Sequence, residues 1–63
     1  MDGTKRENIK IGAKVLVIQK PHQRSGQTTE GLVERLLTSS AVHSRGIKVR
    51  LQGGIVGRVK EIL

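Results

Sequence analysis

Residues 43–60 read HSRGIKVRLQGGIVGRVK, and their pattern decides the fold. Ile47, Val49 and Leu51 alternate with Lys48 and Arg50. A period of two is that of a strand with one face buried, here aliphatics on one side and cations on the other. Gln52-Gly53-Gly54-Ile55 follows, and a Gly-Gly pair between two aliphatic runs fits a tight hairpin. Residues 55–59 are then the partner strand, with Gly57 expected as a bulge or kink. The same stretch holds Arg45, Lys48, Arg50, Arg58 and Lys60 without one Asp or Glu. A small sheet that shows a row of cations to solvent suits a polyanion.

Upstream, residues 13–18 (AKVLVI) form an apolar run of strand length. Val15 and Val17 share one face of it, Leu16 and Ile18 the other. Residues 19–28 (QKPHQRSGQT) read as a loop punctuated by Pro21 and by Ser25-Gly26. Residues 29–37 (TEGLVERLL) have spacing that a short helix could use, but Gly31 would weaken a helix by about 1 kcal/mol. They are expected to form a strand. Gly31 then marks a close approach or a bend, and Leu36-Leu37 marks a bulge or the end of pairing. Residues 38–46 read as a second polar loop, with Gly46 at positive φ. Residues 60–63 are expected as one short turn that buries Ile62. Residues 1–8 are polar and expected as a mobile arm, anchored by Ile9 and Ile11.

These elements predict an all-β fold, a small antiparallel barrel or strongly curved sheet of four to five strands. The residues expected inward are Val15, Val17, Val33, Ile47, Val49, Leu51, Val56, Val59 and Ile62. With 63 residues the chain makes one domain, 1–63. A chain this short buries roughly 60% of its unfolded surface, so the core is thin. It contains no Phe, Tyr, Trp or Cys. Val, Ile and Leu must therefore supply the core, and disulfides and thiolate metal sites are excluded.

The net charge is +7, from 12 Lys and Arg against 5 Asp and Glu. Such self-repulsion opposes compactness until salt or a polyanion offsets it. Nucleic acid, RNA above all, is the expected partner class. A membrane is not expected, because there is no long apolar run and no basic amphipathic helix. The stretch MDGTKRENIKIG lacks the apolar segment of a signal peptide, so a cytoplasmic location is expected.

Several strings carry a resemblance. They are Lys20 with Gln23-Arg24-Ser25-Gly26, Thr29 with Gly31 and Val33, Leu37-Thr38-Ser39-Ser40, His43, GIKVRL at residues 46–51, and Gly54 with VGRV at residues 56–59. Together they resemble the YwbE family of small bacterial and archaeal proteins, over nearly the whole chain. The resemblance implies a compact barrel of the SH3-like or KOW type. Many such domains bind RNA or ribosomal partners, a step that is fold-level analogy.

Catalysis is not expected. The histidines are His22 and His43, both in expected loops, and the carboxylates are Asp2, Glu7, Glu30, Glu34 and Glu61. No spacing among them suggests a metal site or an acid–base pair. The serines lack a nucleophile-elbow context, and the glycines open no phosphate-binding strand–helix unit. No cofactor and no small-molecule substrate is expected. For binding, Lys48, Arg50 and Arg58 are the expected centre, Arg24 and Arg45 the rim, and Lys20 and Lys60 weaker contributors. Phosphates are met by cations and N–H donors, and Arg can grip one bidentately. Arg58 is expected to join the centre if Gly57 shifts the register of its strand. Because single-strand readers usually stack bases on aromatics, backbone or structured-RNA contact with low sequence specificity is favoured. The alternative is a protein-interaction module, docking through Leu16, Ile18 and Ile55 or through an open edge strand.

Overall fold

The computed structural model describes residues 3–22 and 24–63. Met1 and Asp2 of the expected arm, Gln23 of the first loop and the side chain of His22 lie outside the described residues. Four strands form: β1 (Lys14–Ile18), β2 (Thr29–Leu36), β3 (Lys48–Leu51) and β4 (Val56–Ile62). Short 3-10 turns cover Arg6–Asn8 and Lys20–His22. Every pairing is antiparallel, and β4 returns to β1, so the sheet closes as an SH3-like barrel.

Alternation places the core. Val15, Val17, Val33, Ile47, Val49, Leu51 and Val59 are buried, and Ile9 joins them from before β1. Burying an aliphatic side chain of this size contributes about 1.5–3 kcal/mol, and no aromatic shares the load. Gly31 faces inward opposite Val15, where a Cβ would lie 2.7 Å from Leu51 Cδ1. The glycine thus makes the room that Leu51 fills.

The strands close this tightly with two bulges. Val33 faces Leu51 and Arg35 faces Arg50, which leaves Glu34 unopposed on β2. Leu16 faces Glu61 and Val17 faces Val59, which leaves Lys60 unopposed on β4. An extra residue bends its strand and increases the local twist, as closure of so short a sheet requires.

Four expectations are corrected here. Gly57 is neither bulge nor kink: it stays in register opposite Val49 and points inward, where a Cβ would lie 2.8 Å from the Ile18 carbonyl oxygen. Val56 therefore turns outward opposite Arg50 and is 37% exposed, instead of entering the core. Residues 60–62 continue β4 in place of a terminal turn; Ile62 pairs with Val15 and packs half-buried against the core. Residues 3–8 are tied to the barrel and not built as a free arm. The N–H groups of Ile47 and His43 donate to the carbonyls of Gly3 (2.9 Å) and Thr4 (2.8 Å), and Arg6 N–H donates to the Ala41 carbonyl (2.8 Å).

The hairpin between β3 and β4 turns on Gly53 (φ 99°) and Gly54 (φ 94°). Gly54 N–H donates to the Leu51 carbonyl at 3.0 Å. A positive φ at the third turn position is the type II signature, and it demands glycine.

Candidate nucleic-acid interface

The registers sort the outward side chains into rows. Ile18 on β1, Arg58 on β4 and Lys48 on β3 face one another in sequence across the ladder. Two residues along, Val56 on β4, Arg50 on β3 and Arg35 on β2 do the same. Neighbours within a row are about 5 Å apart and the rows about 7 Å apart along the strands. The expected centre of Lys48, Arg50 and Arg58 is thus one contiguous face. Arg58 joins it for the opposite reason to the one expected: Gly57 holds the alternation of β4 unbroken. Arg35 is a fourth cation of this face. The sequence hid it, because the Glu34 bulge puts Glu34 and Arg35 on the same outer side.

A third row has the opposite sign. Glu30 on β2 and Glu61 on β4 flank Leu16 of β1 on its two sides. Lys14 pairs with Glu30 at 3.3 Å. The barrel wall is therefore polarised, with acids beside β1 and cations across β3 and β4. One carboxylate crosses over, since Glu34 lies 3.7 Å from Arg50 Nε. The stretch that is acid-free in sequence is not acid-free in space.

The other expected residues divide. Of the 12 Lys and Arg residues, Arg58 is the single one that is not exposed. Its Nη1 donates to the Gly46 carbonyl at 3.1 Å, which fixes the guanidinium. Arg45, next to Gly46, is exposed, and its N–H donates to His43 Nδ1 at 3.1 Å. Lys20 borders a groove of about 420 Å³ that it shares with Lys48 and Arg58. The loop leaves β1 anchored there, because Gln19 Nε2 donates to Thr29 Oγ1 at 3.0 Å. Lys60 is exposed on its bulge beyond Val59. Arg24 is exposed in the first loop and does not line the groove.

The apolar docking residues do not converge. Leu16 and Ile18 are half-buried, Leu16 lies between two glutamates, and Ile55 sits in the hairpin on the far side of β4 from β1. Pairing at an open edge would require the ring to open, since each strand already has two neighbours. Among the described residues no three His, Cys, Asp or Glu gather as a metal site, and no helix is long and apolar enough to cross a membrane.

Comparison with known proteins adds a family. The model of a family described as "Uncharacterized conserved protein (DUF2196)" matches residues 2–62. A relative from Bacillus subtilis (strain 168), described as "Uncharacterized protein YwbE", is 41% identical over 63 residues, which cover 100% of this chain and 97% of the relative. The chain belongs to the YwbE (DUF2196) family. No solved structure matches this YwbE-family barrel. The two family descriptions name no activity, ligand or partner.

Proposed function

We propose that this YwbE-family barrel is a non-catalytic binding module of the cytoplasm that contacts RNA, free or in a ribonucleoprotein, through phosphates laid across β3 and β4. One observation carries the reading. Lys48 and Arg58 face each other across the ladder, and neither has a carboxylate partner among the described residues. Like charges held directly opposite are destabilising, and a phosphate between them relieves the repulsion. Arg50 and Arg35 extend the same arrangement into a second row.

The test is fluorescence anisotropy with a mixed-sequence RNA pool over a salt series. Binding weakens as salt rises, and Lys48→Ala lowers the log–log salt slope by about 1. The loss is similar for different sequences, because phosphate contacts carry no base code. Absence of binding at low salt, or chemical-shift changes centred on Leu16 and Ile55, would replace this reading with the protein-docking one.

A further inference from the structure

We infer that Arg6 is a phosphate-binding residue, so that RNA bridges the N-terminal segment and the barrel wall; the inference rests on the phosphate-binding reading above. Arg6 stands in a segment that reads as a mobile arm, yet its guanidinium is held. Its Nε donates to the Thr38 carbonyl at 3.0 Å. Thr38 is in turn bonded to the first residue of β3, since the Lys48 N–H donates to Thr38 Oγ1 at 2.8 Å. Two residues before Lys48, the Gly46 carbonyl accepts Arg58 Nη1 at 3.1 Å. Two guanidiniums are therefore anchored on main-chain carbonyls at the end of the barrel where β3 begins.

A guanidinium that gives one N–H to a carbonyl keeps four of its five donors for a ligand. Its side chain has also lost part of the freedom that binding would otherwise cost. Arg6, Lys48 and Arg58 have no carboxylate partner among the described residues. Beyond Arg6 the surface continues as a groove of about 420 Å³, lined by Lys5, Arg6, Glu7, Ser39, Ala41 and Val42. Lys5 and the Ser39 hydroxyl add donors of the kind that meet phosphates. Glu7 sets one carboxylate against them and is ion-paired to neither cation. The segment itself docks through main-chain bonds, among them Arg6 N–H to the Ala41 carbonyl at 2.8 Å. RNA that grips Arg6 and Lys48 together holds the segment down, and by linkage a seated segment tightens the RNA.

The experiment uses the full chain and the mixed-sequence RNA pool. Arg6→Ala should lower the log–log salt slope by about 1, as one lost phosphate contact does. Lys14→Ala removes the same charge from the acidic side of the barrel, where Lys14 pairs with Glu30, and should leave the slope in place. The slope decides, because a segment that is merely loosened would weaken binding without changing it. The second measurement needs no variant. RNA should slow hydrogen exchange at the amides of Arg6 and His43, which donate to the carbonyls of Ala41 and Thr4. The reference is the Gly12 amide, bonded to the carbonyl of Val33 at the far end of β3. A slope unchanged by Arg6→Ala but lowered by Lys48→Ala would overturn the role of Arg6 and leave phosphate binding standing. Exchange at Arg6 and His43 that RNA slows no more than at Gly12 would do the same. Binding of no RNA at low salt would overturn both.

Discussion

Arg35 and Arg50 stand directly opposite each other on β2 and β3, and the residue that makes this tolerable is Glu34, whose carboxylate lies 3.7 Å from Arg50 Nε. The bulge that leaves Glu34 unopposed also delivers it to the cationic face. Under the proposed function, Glu34 occupies the place of one phosphate beside Arg50.

Glu34→Gln adds one to the net charge of +7 and removes that carboxylate. RNA affinity at low salt should rise by up to about fivefold, since an exposed ion pair is worth roughly 0.2–1 kcal/mol. The melting midpoint of the free protein should fall slightly. A drop in affinity would mean that Glu34 orients Arg50 for its ligand.

RNA should raise the melting midpoint. At a hundredfold excess over Kd, ligand that binds only the folded state adds about 2.7 kcal/mol. The shift should fade as salt rises, because released counterions drive the binding. A midpoint indifferent to RNA at low salt contradicts the proposed function.

Val49 is fully buried on β3 and central to the core. Val49→Ala should cost about 1–3 kcal/mol, a fall of several degrees in the midpoint for a domain of this size. Denaturant melts check it, and an unchanged midpoint would contradict the packing.

Two glycines at positive φ should answer alanine differently. Gly53 (φ 99°) faces open space, so Gly53→Ala carries only the backbone penalty of about 1–2 kcal/mol. Gly46 (φ 98°) carries the same penalty, and its Cβ would also run into the Val59 carbonyl oxygen. Gly46→Ala should be clearly the less stable of the two in paired thermal melts.

Deletion of residues 1–8 should destabilise the barrel, because Gly3 and Thr4 accept the N–H groups of Ile47 and His43. Hydrogen exchange at those two amides should speed up most. Unchanged exchange there would restore the picture of a free arm.

The strand β3 was legible because its alternation is unbroken and its neighbours are turn residues. The β2 strand was legible despite helical spacing, since Gly31 argued against a helix. The inward set failed at Val56, and the reason is local. Val56, Val59 and Ile62 are spaced by threes, so they cannot all face inward unless the alternation breaks twice. The sequence offered Gly57 as one break. The break that exists is at Lys60, whose side chain carries no mark of it. Gly57 is glycine for want of space against Ile18, not for its backbone freedom. Ile9 and Ile11 look equivalent in sequence, yet one is buried and the other exposed, because the chain turns at Gly12 (φ 87°). That Lys48, Arg50 and Arg58 share one outer face was legible from β3 and β4 alone. Arg35 was not, since its place depends on which residue of another strand it faces.

The seam between Val15 and Ile62 sets the order of events at synthesis. A ribosome adds roughly 5–20 residues per second, so β1 waits seconds for the strand that covers its second side. Until Ile62 arrives, the nascent sheet has two bare edges made of Val- and Leu-rich segments, the kind of surface that recruits other chains. Closure then depends on contacts between residues far apart in sequence, which places folding in the slow, millisecond-to-second class. In that interval the net charge of +7 opposes the association of unfinished copies.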